Sequence, residues 1–180
     1  MSIERETREQ CRTLTAADVQ EQGLWLEFGV ADGDSMRIWT KAHKPVYGFD
    51  SFHGLTESWH NIPAKAFDRG GIAPEIPGAV MVVGYFADTL PGWLEKNPGP
   101  VAFLHIDSDL YSSAEFVLRT LREAGRLIPG TVVLFDEIIG YHGYREGGEF
   151  RAMQEQLAPY FRMEKLHRQC FRMAYRLHAL

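Results

Sequence analysis

The chain has 180 residues, a length that predicts one domain over residues 1–180. Its composition, with 45% hydrophobic and 24% charged residues, is typical of a globular protein. The net charge of -5 at pH 7 argues against a nucleic-acid groove, because phosphate binding requires a basic face. The sequence has a polar start and lacks an apolar run of about 18 residues. We therefore expect a cytoplasmic protein with neither a secretory signal nor a membrane span.

The first fifty residues predict a helix followed by two strands. Residues 1–22 are polar and end before a glycine, which indicates an N-terminal helix. The apolar run that begins at Leu24 predicts the first strand, and residues 35–43 predict a short amphipathic helix. The sequence VYGFD, which ends at Asp50, predicts the second strand.

Residues 51–79 form the least regular stretch of the sequence. This stretch contains many glycines and prolines, but it also contains Phe52, Trp59 and Phe67. A long irregular loop with its own aromatic residues is usually functional, so we assign it to the wall of the ligand site. The alternative is a surface loop that packs only on itself.

The remainder alternates strands and helices and ends in a predicted hairpin over residues 161–180. Ser112 and Glu115 have the spacing of a helix capping box, and Pro129 with Gly130 predicts a turn before the fifth strand. The predicted strands are Val80–Phe86, Val101–Asp107 and Thr131–Asp136, and the other predicted helices include Asp88–Asn97 and Glu149–Leu157. Alternating strands and helices indicate an α/β fold with a Rossmann-like, doubly wound and mostly parallel sheet.

Acidic residues lie at the end of every predicted parallel strand. They are Glu27, Asp50, Asp88, Asp107, Asp136 and Glu137. Ligands of open α/β sheets bind beyond the carboxyl ends of the strands, so these acids indicate a ligand site. Helix capping is the alternative explanation for Asp88 and Asp50, but it fits Glu27 poorly because Glu27 lies within the apolar strand.

The turn after the first strand favours a ligand without phosphate. It contains Gly29, Ala31 and Gly33 instead of the GxGxxG pattern of dinucleotide sites, and it carries Asp32 and Asp34. Two carboxylates would repel the pyrophosphate of a nicotinamide cofactor. Together with the acids at the strand ends, this turn resembles that of class I S-adenosylmethionine-dependent methyltransferases, whose cofactor carries a sulfonium and an ammonium group.

The resemblance is most specific to the macrocin O-methyltransferase family and covers residues 24–156. Its strongest parts are the strings PVAFLHIDSDLYSS and PGTVVLFDEI. It implies a seven-stranded sheet in which an antiparallel C-terminal strand lies beside the fifth strand. It also implies that Glu27 meets the cofactor ammonium, Ser35 its carboxylate and Asp50 its ribose. The full set of expected cofactor-binding residues is Glu27, Gly29, Ala31, Ser35, Asp50, Ser51, Asp88 and Asp107.

The same resemblance implies a magnesium site formed by Asp107, Asp136 and Glu137, which agrees with the preference of this ion for oxygen ligands. Related enzymes use a Lys or His as base at the position of Leu110, so the base must differ here. The predicted catalytic residues are Asp107 and His142, and the other candidates for the base are His53 and Tyr144. Asp109 is expected to bond the backbone of the next helix, and His105 is expected to be a core residue.

These features predict a methyltransferase that uses S-adenosylmethionine and magnesium to methylate a hydroxyl of a small natural product, a sugar or a polyketide. The alternatives are a metal-independent O- or N-methyltransferase and a non-catalytic partner subunit that only binds the cofactor. The expected partners are a small-molecule acceptor and further copies of the chain in a homo-oligomer, a dimer. No nucleic acid and no membrane are expected as partners.

Overall fold

Seven strands form one sheet in the computed structural model, which describes the backbone of residues 3–180 and the side chains of residues 9–180. The strands are β1 (Leu24–Phe28), β2 (Val46–Asp50), β3 (Ala79–Val83), β4 (Val101–Ile106), β5 (Leu127–Phe135), β6 (Arg162–Gln169) and β7 (Arg172–His178). The helices are α1 (Ile3–Ala17), α2 (Met36–Ala42), α3 (Phe86–Lys96), α4 (Tyr111–Glu123) and α5 (Gly148–Gln156). None of these helices combines the length and apolar character that crossing a membrane requires.

The strand order across the sheet is β3-β2-β1-β4-β5-β7-β6. Strands β1 to β5 pair in parallel, whereas β7 pairs antiparallel with both β5 and β6. This arrangement confirms the predicted doubly wound sheet with an antiparallel C-terminal strand. The order reverses between β1 and β4, so the crevice for a ligand lies above these two strands.

The central strands of the sheet are buried on both faces, whereas the edge strands β3 and β6 are partly exposed. All six residues of β4 are buried, which explains its continuous apolar sequence. One core cluster joins the sheet to α3, α4 and α5, and the other joins it to α1 and α2. His105 is fully buried within β4, as predicted.

Two local predictions are wrong for identifiable reasons. Helix α4 begins one residue before Ser112, whose hydroxyl donates to Glu57 (Oγ to Oε1, 3.0 Å) instead of capping the helix. Strand β5 continues through Pro129 and Gly130, where a turn was predicted, because its register with β4 shifts there and a bulge accommodates the proline.

Candidate functional site

A cavity of about 730 Å³ opens at the carboxyl ends of the parallel strands, a volume within the usual range of small-molecule sites. Residues 29–35 form one side of it. The segments that follow β2, β4 and β5 contribute acids, and the loop over residues 51–79 contributes apolar side chains. The loop residues in the wall are Ser51, Gly54, Leu55, Thr56, Trp59, Ile62 and Phe67. The predicted role of this loop as a wall of the ligand site is therefore consistent with its position.

The turn after β1 packs directly on the end of β4. Gly29 has a φ of 90°, and a Cβ atom at this position would lie 1.8 Å from the carbonyl oxygen of Asp107. The Gly29 amide also donates to the carbonyl of Phe49 in β2 (N to O, 3.0 Å). Only glycine permits this approach, which brings the first turn and Asp107 to the same side of the cavity.

Gly29→Ala is expected to lower the free energy of unfolding by about 2 kcal/mol or more, because the added methyl group collides with backbone. Gly92→Ala is the matched control: Gly92 lies in α3, and a Cβ there would meet nothing within 4 Å. The control should be stabilised, by about 1 kcal/mol at most, since alanine is the better helix former. Urea unfolding measures both changes. Equal stability of Gly29→Ala and the unmodified protein would contradict the close approach.

Asp50 connects the second strand to the first turn. Its Oδ2 accepts the amides of Val30 and Ala31, each at 2.9 Å, and its Oδ1 accepts the amide of Phe52 at 2.8 Å. The carboxylate still lines the cavity, as does the neighbouring Ser51. Asp50 therefore shapes the turn as well as facing a ligand.

The structure corrects the predicted direct contact between Glu27 and a ligand. Glu27 is fully buried and lies outside the cavity wall. Its Oε1 accepts the hydroxyl of Ser35, which does line the cavity, and lies 2.8 Å from Nδ1 of His105. Burial lowers the pKa of His105, but the Asp136 and Glu27 carboxylates outweigh that effect and raise it to about 9. Ser35 thus links Oε1 of Glu27 to the cavity wall, while Oε2 of Glu27 is buried without a hydrogen-bond partner.

Asp136 is enclosed by cationic side chains from distant parts of the chain. Its Oδ1 accepts Nη2 of Arg12 at 2.9 Å and Nε of Arg172 at 2.7 Å, while Oδ2 accepts Nη2 of Arg172. Nε2 of His105 lies 3.5 Å from Oδ1. Burial raises the pKa of Asp136, but these cations dominate and hold it well below its usual range. Both oxygens of Asp136 are therefore committed to positive partners.

A separate group of carboxylates faces the cavity. Asp107, Asp109 and Glu137 each offer one oxygen, and these three atoms lie within 4.8 Å of one another. Oε2 of Glu137 is buried without a hydrogen-bond partner. Burial and the charge of Asp136 raise the pKa of Asp107 to about 8, and burial with the charge of Asp107 raises that of Glu137 to about 11. This acidic cluster could hold a divalent cation, which would relieve the repulsion.

The acidic cluster differs from the predicted metal triad by one residue. Asp107 and Glu137 lie together as predicted, and Asp109 lies with them. Asp136 forms a second possible group with His105 and Asp107, but both of its oxygens already accept hydrogen bonds from arginines. The prediction that Asp109 bonds the helix backbone is wrong: its φ is 59°, and within residues 9–180 its side chain makes no hydrogen bond. Burial and the charge of Asp136 raise its pKa to about 6.

Several predicted residues lie away from the cavity. Asp88 is exposed in the first turn of α3, and His142 lies in the segment between β5 and α5; neither lines the cavity. His53 faces Asp68, with 3.9 Å between Nδ1 and Oδ1, and Tyr144 packs against the core. The predicted residues that do line the cavity are Gly29, Ala31, Ser35, Asp50, Ser51, Asp107, Asp136 and Glu137. Of the predicted bases, only Asp107 remains in position, and Asp109 lies beside it.

The sequence matches a known protein family over most of the sheet. A family model described as a methyltransferase domain matches residues 26–138, more than half of the chain. Curated proteins give no sequence match.

Solved structures share the fold over almost the whole chain. CalS11, a calicheamicin methyltransferase, is 21% identical, with a TM-score of 0.76 over 98% of this chain and 80% of its own. The O-methyltransferase NovP is 19% identical, with a TM-score of 0.68 over 96% and 80%. TomG from Streptomyces achromogenes, an O-methyltransferase solved with S-adenosylmethionine, is 15% identical, with a TM-score of 0.58 over 99% and 82%.

These likenesses confirm the predicted resemblance in fold. The family match runs from within β1 through β5 and includes the turn over residues 29–35, here called the cofactor turn, and the acids that follow β4 and β5. The chain therefore belongs to the methyltransferase domain family and has the fold of the class I S-adenosylmethionine-dependent methyltransferases.

Proposed function

We propose that this methyltransferase transfers the methyl group of S-adenosylmethionine to a hydroxyl of a small natural product, a sugar or a polyketide, with the help of a magnesium ion. The acidic cluster carries this proposal, because it lies in the same cavity as the cofactor turn. Similar structures described as a calicheamicin methyltransferase and as the O-methyltransferase NovP support a hydroxyl acceptor.

The first turn suits the cofactor by charge. Asp50 lines this side of the cavity, and its carboxylate favours the ammonium and sulfonium groups of S-adenosylmethionine; Asp32 also lines it but is paired with Arg69. The amides of Val30 and Ala31 are taken by Asp50, so they are not free to bind a phosphate. The side chain of Ser35 remains at the wall to meet the methionine portion.

The acidic cluster fits a magnesium ion by donor type and by its unsatisfied oxygen. Asp107, Asp109 and Glu137 would hold the ion. Oε1 of Glu137 lies 4.0 Å from Nη2 of Arg172, but Oε2 is a buried acceptor without a hydrogen-bond partner. When bound, magnesium would polarise the acceptor hydroxyl and lower its pKa. Asp136 lies next to this site and accepts hydrogen bonds from Arg12 and Arg172, which it holds in place.

The protein's own groups position the acceptor and remove its proton. Trp59, Ile62 and Phe67 offer apolar surface that excludes water and restricts the acceptor's orientation. The acceptor oxygen attacks the methyl carbon, the bond to sulfur breaks, and S-adenosylhomocysteine leaves as a neutral thioether. Asp109 takes the hydroxyl proton, because its side chain makes no hydrogen bond within residues 9–180, whereas Oδ2 of Asp107 is paired with Nη2 of Arg12 at 3.5 Å.

Calorimetry with S-adenosylhomocysteine, followed by mass spectrometry of reactions with neutral sugars and polyketides, tests the proposal. We expect cofactor binding and methylated product, with product formation lost in chelator and restored by magnesium. Full activity in chelator would instead support a metal-independent O- or N-methyltransferase. Binding without turnover across the panel would support a cofactor-binding partner subunit, and absence of binding at millimolar ligand would refute cofactor use.

The assembly is also a proposal. We propose a homodimer that binds a small-molecule acceptor and has no role with nucleic acids, which accords with the net charge of -5. Light scattering of the purified protein distinguishes a dimer from a monomer.

A further inference from the structure

Glu149 is a buried acid that the cavity itself does not use. It lies in the first turn of α5, is completely buried, and is outside the cavity wall. Its Oε1 accepts the amide of Ser108 and its Oε2 accepts the amide of Glu137, both at 3.2 Å. One carboxylate therefore joins the segment after β4 to the segment after β5.

These two amides belong to the backbone that carries the acidic cluster. Ser108 lies between Asp107 and Asp109, so the position of its amide sets where both neighbouring side chains begin. The amide of Glu137 likewise sets the starting point of the third carboxylate. Both amides donate to the planar carboxylate of Glu149. These two hydrogen bonds fix the distance between the two segments and thus the geometry of the acidic cluster.

Packing alone does not explain an acid at this position. Glu149 is completely buried and forms no ion pair with the cations of residues 9–180, so burying its carboxylate is costly. An apolar side chain would avoid this cost. The preceding Gly148 has a φ of 58°, and a Cβ there would lie 2.5 Å from Oη of Tyr141, so this position before Glu149 favours glycine.

We propose that Glu149 is a positioning residue, which holds the segments after β4 and β5 at the separation that the acidic cluster needs to bind a divalent cation. This inference rests on the proposed metal-assisted function. Through Glu149, helix α5 holds the acidic cluster in position without lining the cavity at that residue.

Glu149→Gln tests the proposal, because glutamine has nearly the same shape but only one oxygen to accept an amide. We expect the dissociation constant for Mn²⁺, measured by electron paramagnetic resonance without cofactor or acceptor, to rise about tenfold or more, as for other outer partners of metal ligands. The dissociation constant for S-adenosylhomocysteine should change less than about twofold. The matched control is Glu155→Gln, an exposed acid on the same helix that bonds Tyr111 and Arg151, and its Mn²⁺ affinity should be unchanged.

A folded Glu149→Gln protein with unchanged Mn²⁺ affinity would overturn the inference while leaving the proposed function intact. If the unmodified protein binds neither Mn²⁺ nor S-adenosylhomocysteine, the proposed function itself fails. Hydrogen exchange in the unmodified protein provides a second measurement that needs no variant. We expect slow exchange at the amides of Ser108 and Glu137, and rapid exchange at either would show that Glu149 does not hold it.

Discussion

Asp109→Asn should lower kcat by about 10²- to 10⁴-fold, the usual loss when a proton-accepting group is removed. Asp109 lines the cavity, has no hydrogen-bond partner within the described side chains, and lies beside Asp107 in the acidic cluster. Asparagine keeps the shape of the side chain but accepts no proton at neutral pH. The affinity for S-adenosylhomocysteine should change little, because the cofactor turn is not altered.

The control for this experiment is Glu95→Gln, which neutralises an exposed acid on α3 and should leave kcat within about twofold. Steady-state rates with saturating cofactor, together with calorimetry, separate the catalytic loss from a loss of binding. An Asp109→Asn protein that retains its full kcat would show that another group accepts the proton, and Asp107 would be the next candidate.

Asp136→Asn should lower the free energy of unfolding by about 3–5 kcal/mol, because it leaves buried guanidinium groups without their counter-charge. The side chains of Arg12 and Arg172 are 11% and 2% exposed, so water cannot replace the lost carboxylate. The pKa of Asp136 is lower in the folded protein than in the unfolded chain. Asp136 therefore stabilises the fold above its unfolded pKa, and this stabilisation is lost as the pH falls through its folded pKa.

Glu137→Gln is the matched comparison, since it neutralises the adjacent acid. Burial raises the pKa of Glu137, so the carboxyl costs free energy of folding at neutral pH, and its replacement should increase the free energy of unfolding while weakening Mn²⁺ binding. Urea unfolding of both variants at neutral pH measures the contrast. If Asp136→Asn is as stable as the unmodified protein, the arginines do not depend on Asp136 and its role as their anchor is wrong.

The strands were predictable because their apolar runs reflect burial within the sheet. The six buried residues of β4 and the sequence VYGFD of β2 match strands in the structure. The predicted convergence of acids also follows from this topology, because parallel strands end at one edge. Asp107 and Glu137 are therefore near each other although they are far apart in the sequence.

The partners of those acids were not predictable, because they come from elements whose docking the local pattern does not encode. Arg12 meets Asp136 across 124 positions, and Arg172 meets it from the C-terminal hairpin. Glu149 carries a weak signal, an acid directly after two glycines at the start of a helix, but only the structure shows the two amides that it accepts.

Local capping and turn patterns failed where tertiary contacts compete with them. The hydroxyl of Ser112 bonds Glu57 from the loop over residues 51–79 and not its own helix. The segment around Pro129 remains in β5, where Thr131 donates to the carbonyl of Val101 (Oγ1 to O, 2.6 Å). In both places a distant partner outweighs the propensity of a few adjacent residues.

Anomalous diffraction from a crystal grown with S-adenosylhomocysteine and Mn²⁺ gives the most direct view of cofactor and cation together. We expect cofactor density against residues 29–35 and an anomalous peak within ligand distance of Asp107, Asp109 and Glu137. Cofactor bound with no such peak, or a peak coordinated by Asp136 in place of its arginines, would contradict the assignment of this cluster as the metal site of the methyltransferase.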